Sequence, residues 1–298
     1  MAGWGTKSIG AAFKTSHSHP NADIDPSTVT LPKPLVVCIV GASRGIGAGI
    51  ATAYAKAGCT ALILASRRLS GLEETAAACK ALNPKVEIEV ISCDITSSAS
   101  VSSLAENTLS RFGRLDAVVV NSGYSGPVKL RITETDPETF LNATNVNYVG
   151  TFYCAKFLIS LLLNTSDGAK LFIGVSSLAS ILVRDPIANT QYCVSKCAQL
   201  KLLEHIHEQY ADQGLSSFAV HPGSVLSEMA DETVPEEFRP FLTDSPDLCG
   251  AFCVWLTKED RKWLSGRLLN AKWDVKELEA KKEEIVAKDA LKLQLSLP

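Results

Sequence analysis

The amino-acid sequence predicts one α/β domain, a doubly wound and mostly parallel seven-stranded sheet with helices on both faces. Short apolar runs with little polar alternation recur along the chain, which is typical of strands that are buried on both sides. Helical patterns separate nearly all of these runs, as the right-handed crossovers of a parallel sheet require. The two patterns together favour this fold class over an antiparallel sandwich or a helical bundle.

The predicted elements follow one another in the order that such a sheet needs. The first apolar run, Leu35–Val40, precedes a glycine-rich turn and a helical pattern over Ile46–Lys56. The second run is Ala61–Ala65, and the stretch Ser70–Leu82 after it is again helical. The later strands are predicted at Val86–Ser92, Leu115–Val120, Lys170–Val175, Ser216–Val220 and Gly266–Ala271.

The two ends of the chain lie outside this alternation. Residues 1–34 are polar, contain four prolines and show no sustained periodicity, so we expect an arm that lies on the domain or trails from it. Residues 274–298 are rich in Lys and Glu and predict a C-terminal extension formed by a helix. The α/β domain itself is therefore expected to span residues 35–273.

Composition excludes several classes of protein. The chain has 29 Lys and Arg against 32 Asp and Glu, so it lacks the basic footprint of a nucleic-acid-binding protein. Its most apolar stretch, Phe152–Leu163, contains a lysine and is too short to span a bilayer. Nine cysteines without a secretory leader indicate reduced thiols, so we expect a cytoplasmic protein with no membrane partner. His205 and His207 point to different sides of a predicted helix, and no metal site is expected.

Glycine or polar residues follow each of the first six predicted strands. They are the turn GASRGIG (Gly41–Gly47), Ser66–Arg68, Cys93–Asp94, Asn121–Gly123, Ser176–Ser177 and His221–Gly223. In doubly wound folds, ligands bind beyond the carboxyl ends of the strands. The glycines of GASRGIG would let backbone N–H groups approach a pyrophosphate at the start of the next helix. The pattern indicates a dinucleotide site, although the turn alone is also compatible with a strand-to-helix connection that binds nothing.

In this order and at these intervals, GASRGIG, NSG at Asn121–Gly123, the serine pair, YCVSK at Tyr192–Lys196 and the PG turn closely resemble the short-chain dehydrogenase/reductase family. The resemblance covers about Leu35–Ala271. It implies a Rossmann fold and an oxidoreductase that acts on a small-molecule carbonyl or alcohol substrate. The arm and the C-terminal extension resemble those of fungal reductases, including enzymes of secondary metabolism.

The resemblance implies a catalytic tetrad of Asn147, Ser177, Tyr192 and Lys196. The interval between Ser177 and Tyr192 is longer than the family's usual one, which leaves Ser176 as an alternative for the serine role. The resemblance also implies the cofactor-binding residues. They are Gly41, Ser43, Arg44, Gly45, Ile46, Gly47, Ser66, Arg67, Arg68, Asp94, Ile95, Asn121, Gly123, Tyr192, Lys196, Pro222, Gly223, Val225 and Ser227.

Carbonyl reduction needs a hydride on carbon and a proton on oxygen. In the implied roles, Tyr192 supplies the proton, Ser177 hydrogen-bonds the carbonyl oxygen, and Asn147 orients a water that returns the proton through Lys196. A free phenol has a pKa near ~10. We expect the Lys196 ammonium, one helical turn away, to lower the pKa of Tyr192 towards neutrality. The alternatives are a half-buried helix tyrosine, a solvated lysine and a helix-capping serine.

The residues after the second strand predict the cofactor. NAD sites usually carry an acidic residue there to bind the ribose hydroxyls. This chain has Ser66-Arg67-Arg68 instead, and Arg44 in the glycine turn is expected to reach the same place. Guanidinium groups suit a 2′-phosphate, so we predict NADP(H) rather than NAD(H). The alternative is that Arg67 and Arg68 are surface charges at the start of a helix.

Two polar residues of the family pattern are valines here, at Val40 and Val120. Their strands are expected to be neighbours, so we interpret the two changes as one compensated substitution. The loops 124–135, 178–191 and 224–244 are expected to select a neutral, fairly apolar substrate. The helical stretches Glu138–Leu163 and Gln191–Ala211 match the surfaces on which family members dimerise, so we expect a homodimer or homotetramer.

Two other functions remain open at this point. An isomerase, epimerase or cyclase would bind NADP without net redox change, and an NADP(H)-sensing protein would bind it without chemistry. The Tyr192–Lys196 pair argues against the sensor, because a sensor needs no proton donor at that position.

Overall fold

Seven parallel strands form one sheet at the centre of the protein. The computed structural model describes residues 13–184 and 187–295. The strands are β1 (Val36–Val40), β2 (Ala61–Ser66), β3 (Glu87–Ser92), β4 (Ala117–Val120), β5 (Leu171–Val175), β6 (Ser216–His221) and β7 (Arg267–Asn270). Their spatial order is β3-β2-β1-β4-β5-β6-β7, so the chain crosses between the two halves of the sheet from β3 to β4. The predicted Rossmann fold is confirmed, with every strand pair parallel.

Ten α-helices in the described part of the chain cover the sheet and form its connections. They are α1 (Gly45–Lys56), α2 (Leu69–Leu82), α3 (Ser98–Phe112), α4 (Pro137–Ala143), α5 (Gly150–Asn164), α6 (Thr190–Tyr210), α7 (Glu228–Thr233), α8 (Pro246–Lys258), α9 (Val275–Ala280) and α10 (Lys282–Ala287). A π-helix, Thr144–Val149, joins α4 to α5.

The sheet separates two apolar cores. In β1, Val37 and Ile39 face the core formed with α1, α2 and α8, whereas Val36, Cys38 and Val40 face the core formed with α3, α5 and α6. This alternation follows from the pleat of a strand, in which successive side chains point to opposite faces. Because both faces are apolar, the strands are continuous hydrophobic runs, as the sequence predicted.

The helical run from α4 through α5 is longer than the apolar stretch considered in the sequence. Pro137–Asn164 is long enough to cross a bilayer and has a mean hydropathy of 1.4 in its most apolar window. In the described part of the chain it is the one helix that meets this test, and 44% of the window is buried inside the protein. Core helices of soluble proteins meet the same test, so this is weak evidence for a membrane span.

From residue 13 onwards, the N-terminal arm lies on the domain. Phe13 stacks on Trp273 with ring centroids 4.0 Å apart, and the Thr15 hydroxyl donates to Glu277 Oε1 at 2.6 Å. Farther along the arm, Ile24 is buried in the core beside α1. The arm thus packs against the start of the C-terminal extension. Residues 1–12 lie outside the described part, and the boundaries at residues 34 and 274 remain a prediction.

The C-terminal extension differs from the single helix that we predicted. It contains two short helices, because the chain turns at Lys281, whose N–H bonds to Leu278 O only three residues back. Beyond α10 the tail returns to the sheet. The Leu268 N–H in β7 donates to Leu291 O at 2.8 Å, and the Leu293 N–H donates to Glu204 Oε1 of α6 at 2.9 Å. The tail therefore covers part of an edge strand that would otherwise expose unpaired backbone groups.

Candidate active site

A cleft of about 800 Å³ lies at the carboxyl ends of the strands in the first half of the sheet. Most of the predicted cofactor-binding residues line it: Gly41, Ser43, Arg44, Gly45, Ile46, Ser66, Arg67, Arg68, Asp94, Ile95, Asn121, Gly123 and Ser227. Cys93 and Ser122, which lie in two of the predicted strand-end segments, also line the cleft. Sequence reasoning assigned no cofactor contact to the other lining residues, which are Thr96, Val146, Leu226, Glu228 and Met229. Several of these residues adjoin predicted cofactor-binding residues in the sequence, and that adjacency could have identified them as lining residues.

The glycine turn is shaped by close backbone contacts. Gly45 has φ +52°, a conformation that favours glycine, and a Cβ atom on Gly47 would lie 2.0 Å from Gly41 O. Asn121 Nδ2 donates to Gly41 O at 2.9 Å and fixes the turn against the end of β4. No side chain in the described residues caps the N-terminus of α1, at Arg44. The first N–H groups of α1 thus suit an anionic group in the cleft, and the residues fit a dinucleotide pyrophosphate.

Two arginines follow β2, as predicted, with no acidic residue between them and the strand. Arg68 Nη2 donates to Ser43 O of the glycine turn at 3.3 Å. Arg67 is exposed and forms no ion pair with any described residue. Across the cleft, Asp94 keeps a pKa below its usual range. Partial burial opposes that shift, but hydrogen bonds from Thr96 and the charge of Arg67 outweigh it.

Arg44 is engaged differently from the sequence prediction. Its guanidinium forms an ion pair with Glu228, the first residue of α7, rather than lying free beside Arg67 and Arg68. The two side chains are 47% and 52% exposed, so solvent reaches the pair. The contact connects the glycine turn to the 224–244 loop across the mouth of the cleft. Sequence reasoning could not find it, because nothing local relates two residues so far apart in the chain.

Tyr192 lies in the first turn of α6, next to Ser177. Its backbone N–H donates to Asn189 Oδ1 at 2.9 Å, which caps the helix. Burial raises the pKa of Tyr192 to about 12, and a hydrogen bond with the Ser177 hydroxyl acts in the opposite direction. The expectation that Lys196 lowers this pKa towards neutrality is therefore wrong, because desolvation of the phenolate dominates.

Lys196 is buried beneath the tyrosine, with 2% of its surface exposed. Its ammonium donates to Val175 O at 2.8 Å and to Gln199 Oε1 at 3.1 Å, and it lies 5.8 Å from the Tyr192 ring centroid. Burial lowers the pKa of Lys196 to about 7. Because the side chain is buried, the alternative of a solvated surface lysine is excluded.

Asn147 lies in the π-helix and is fully buried. Its amide forms three hydrogen bonds: Tyr124 N donates to Oδ1 at 2.8 Å, and Nδ2 donates to Tyr124 O at 2.8 Å and Ser195 Oγ at 2.9 Å. The side chain thus anchors the turn after β4 to α6. Gly123 lines the cleft and also lies next to Asn147 and Lys196. A Cβ atom on Gly123 would lie 3.6 Å from Asn147 Oδ1 and 3.9 Å from Lys196 Nζ.

The two candidate serines differ in their surroundings. The Ser177 hydroxyl bonds Tyr192 and also accepts from Ala179 N at 3.1 Å. Ser176 is 2% exposed, and its hydroxyl has no hydrogen-bond partner among the described residues. This geometry favours Ser177 for the serine role. The loop between Ser177 and Tyr192 is described except for residues 185 and 186.

The PG turn after β6 is anchored from two distant segments. Gly223 has φ +101°, and the neighbouring Ser224 N–H donates to Asp244 Oδ2 at 2.6 Å. Asp244 is buried and also binds Lys272 Nζ at 2.7 Å, an ion pair that the sequence does not signal. As a consequence, the predicted residues Pro222, Gly223 and Val225 are buried and do not line the cleft, unlike Ser227.

His221, at the end of β6, belongs to the predicted strand-end segment His221–Gly223, although the sequence suggested no role for this residue. Its Nδ1 accepts a hydrogen bond from the Leu178 N–H at 3.3 Å, next to Ser177. Burial, followed by the charge of Lys272, lowers the pKa of His221 to about 4, so the ring stays neutral. The contact fixes the serine loop to β6.

Comparison with known proteins identifies the family. The short chain dehydrogenase family model matches residues 35–237, which is more than half of the chain. The protein therefore belongs to the short-chain dehydrogenase family, whose members are oxidoreductases that use NAD or NADP.

Among its relatives are fungal proteins of similar length. The chain is 37% identical over 293 residues to the short chain dehydrogenase pgmD of Aspergillus terreus, covering 95% of this chain and 94% of that one. It is 39% identical over 264 residues to the short chain dehydrogenase mpl6 of Monascus purpureus, covering 88% of each.

Solved structures show the same fold. An alcohol dehydrogenase from Thermococcus sibiricus complexed with 5-hydroxy-NADP is 28% identical, with a TM-score of 0.70 over 81% of this chain and 97% of that one. Levodione reductase superposes with a TM-score of 0.72 at 21% identity, over 80% of this chain and 96% of that one, which supports the fold alone.

Proposed function

We propose that the protein is an NADP(H)-dependent oxidoreductase that reduces a ketone, or oxidises the corresponding secondary alcohol, with Tyr192 as general acid or base. The observation that carries this proposal is the contact of half-buried Ser177 and Tyr192 with each other above buried Lys196, beside a cleft that fits a dinucleotide. The substrate is a fairly apolar small molecule, such as a secondary metabolite.

Two features support NADP(H) over NAD(H), and a third supports a dinucleotide of either kind. Arg67 and Arg68 follow β2 where an NAD site carries an acidic residue, and Arg67 has no ion-pair partner among the described residues. The N–H groups at the start of α1 suit the pyrophosphate. The Thermococcus sibiricus relative is complexed with an NADP derivative. When bound, the nicotinamide supplies or accepts the hydride.

The protonation states favour reduction. With a pKa of about 12, the Tyr192 phenol carries its proton at neutral pH and can donate it to a carbonyl oxygen. In this proposal Ser177, which hydrogen-bonds Tyr192, also hydrogen-bonds the carbonyl oxygen as charge develops on it. After the transfer, the Lys196 ammonium stabilises the phenolate from the next turn of α6.

The loops around the site support an apolar substrate. Large hydrophobic side chains are exposed on each of them, namely Leu130 (59%), Ile132 (70%), Val183 (88%), Leu226 (51%) and Phe241 (65%). Leu226 lines the cleft, and exposed apolar side chains at a ligand site favour apolar ligands. The acidic residues of α7 disfavour a polyanion.

Assembly and location are part of the proposal. Leu141, Phe152 and Val194 expose about half of their surface on α4, α5 and α6, which supports a homodimer or homotetramer formed through these helices. A monomer in light scattering would contradict this. We propose a cytoplasmic location, because buried free thiols such as those of Cys38 and Cys249 persist in a reducing compartment.

The first test is a fluorescence titration of the purified protein with NADPH and with NADH. We expect clearly tighter binding of NADPH, followed by NADPH oxidation with members of a ketone panel of increasing apolar size. Equal binding of both nucleotides would contradict the role of the arginines. Failure of folded protein to bind either nucleotide would contradict the proposed activity itself.

A further inference from the structure

A buried glutamine, Gln199, lies one turn after Lys196 on the same face of α6. We propose that Gln199 is a positioning residue, whose amide holds the Lys196 ammonium in place, ties it to the backbone of Asn147, and so keeps the lysine charged beside Tyr192. The kinetic consequence rests on the proposed function, whereas the contact itself and the lysine's protonation do not.

A continuous chain of hydrogen bonds connects the Lys196 ammonium to the backbone carbonyl of Asn147. Lys196 Nζ donates to Gln199 Oε1 at 3.1 Å, and Gln199 Nε2 donates to Thr151 Oγ1 at 3.0 Å. The Thr151 hydroxyl in turn donates to Asn147 O at 2.7 Å, one helical turn before it. Gln199, Thr151 and Asn147 are all 0% exposed, so water does not compete for these groups.

The direction of this chain is determined by its donors. Because the single Thr151 proton is used on Asn147 O, Thr151 can only accept from Gln199. The amide must therefore present its NH₂ to Thr151 and its oxygen to Lys196. The reversed amide would place an NH₂ group against the ammonium and leave two buried acceptors facing each other. Thr151 thus orients Gln199, and Gln199 orients Lys196.

Few groups share the space around the Lys196 ammonium. The Val175 carbonyl reaches it from β5, Gly123 approaches from the turn after β4, and Tyr192 and Gln199 face it from α6. Among the described residues, no carboxylate forms an ion pair with Lys196, and Tyr192 is the titratable group beside it. The ammonium is therefore held by neutral oxygens, of which Gln199 supplies one of two.

Loss of the Gln199 acceptor should change the pKa of Lys196 in one direction only. A buried ammonium with fewer hydrogen bonds is less stable than its neutral amine, so the pKa of Lys196 falls further below its ordinary value. Less positive charge then faces Tyr192 at a given pH. Replacement of the glutamine by a carboxylate has the opposite effect, because an anion next to the ammonium raises the pKa of Lys196.

The test is an NMR titration of full-length protein labelled with ¹³C at the lysine ε-carbon, with the Lys196 signal assigned from Lys196→Arg. We expect Lys196 to titrate near neutral pH in the unaltered protein. Gln199→Met, which keeps the shape of the side chain, should lower its protonation constant about ten-fold or more, and Gln199→Glu should raise it. If the role of Gln199 is purely structural, the protonation constant of Lys196 should not move in opposite directions in Gln199→Met and Gln199→Glu. Equal titration of Lys196 in both variants would therefore overturn the proposal.

Thr151→Val supplies a second variant in case Gln199→Met does not fold. It removes the group that orients the amide, and we expect a smaller decrease in the same protonation constant. Thr108→Val is its matched control, because Thr108 is also 0% exposed and bonds the carbonyl one turn back, at Leu104, away from the site. A decrease as large in Thr108→Val as in Thr151→Val would contradict the proposal.

The kinetic readout separates this inference from the proposed function. If the protein reduces ketones, the reduction rate should begin to fall at a lower pH in Gln199→Met than in the unaltered protein, because Lys196 loses its charge earlier. If it reduces none, the proposed function fails while the titration still tests Gln199. If reduction occurs but neither the titration nor the pH profile moves, the role of Gln199 is wrong and the function stands.

Discussion

The glycine-turn half of the site and the Tyr192–Lys196 half differ in the kinds of groups that form them. At the ends of β1 and β2, the groups directed at the cleft are backbone N–H groups of a glycine turn and exposed cations such as Arg67. Beyond the ends of β4 and β5, the side chains of Asn147 and Lys196 are buried and are held by partners on other elements. The first half is open to solvent, whereas the second is mostly closed.

This difference has electrostatic consequences. Exposed charges are screened by water and salt, so each contributes modestly to binding. Buried groups lose hydration, which moves the pKa of Tyr192 to about 12 and that of Lys196 to about 7. Substitutions in the open half should therefore change cofactor affinity, and substitutions in the closed half should change the chemical step.

The largest expected effect is that of Tyr192→Phe. Loss of the phenol removes the proton donor but keeps the ring, so the reduction rate should fall on the order of 10²- to 10⁴-fold. NADPH affinity, measured by fluorescence titration, should change little. Tyr210→Phe, at the other end of α6, is the control and should retain activity. Full activity in Tyr192→Phe would contradict the assignment of the chemical step to the closed half of the site.

Arg67→Ala tests the open half. Loss of a charged partner for the 2′-phosphate should weaken NADPH binding by about 10-fold or more and leave NADH binding unchanged. The difference should shrink as salt is added, because the guanidinium is exposed. Arg131→Ala, 82% exposed and paired with Glu134 outside the cleft, serves as the control. Unchanged NADPH affinity in Arg67→Ala would count against an NADP(H) preference set by this residue.

Val40→Thr tests the boundary between the halves. Val40 and Val120 are paired in register across β1 and β4 and are 1% and 0% exposed, which confirms that their strands are neighbours. A hydroxyl at this position would face an apolar core, so Val40→Thr should destabilise the protein by about 1 to 3 kcal/mol in urea denaturation.

The double variant Val40→Thr/Val120→Asn sharpens that test. If the two valines are one compensated change, the second substitution should restore part of the lost stability, and the double-mutant cycle should show coupling. A Val40→Thr protein more stable than the unaltered one would refute the interpretation.

The smallest expected effect is that of Glu228→Gln. Removal of its charge frees Arg44 from the ion pair across the cleft, so NADPH affinity should rise about two- to five-fold, the scale of an exposed ion pair. Asp231→Asn is the matched control, because it lies on the same helix but pairs with Arg239. A fall in NADPH affinity in Glu228→Gln would show that the ion pair supports the site instead of competing for it.

Much of the molecule was predictable because it depends on local chemistry. All seven strands were predicted within about two residues of their bounds, since burial on both faces demands continuous apolar runs. The glycine turn and the arginines after β2 lie where the order of strands requires. The break at Lys281 was not predicted, because the Lys- and Glu-rich pattern there is equally compatible with one helix or two.

The sequence by itself determined the fold, the family, and the glycine turn and arginines of the open half, because strand periodicity, glycine conformation and charge are properties of short segments. Only the tertiary structure decided which partners meet in the closed half. Gln199 contacts Lys196 within one helix, but its contact with Thr151 joins residues 48 positions apart in the sequence. The ion pair of Asp244 with Lys272 likewise joins two separate segments that no local pattern relates. Such hydrogen bonds and the pKa shifts that burial produces depend on which surfaces are brought together, and no short segment encodes that.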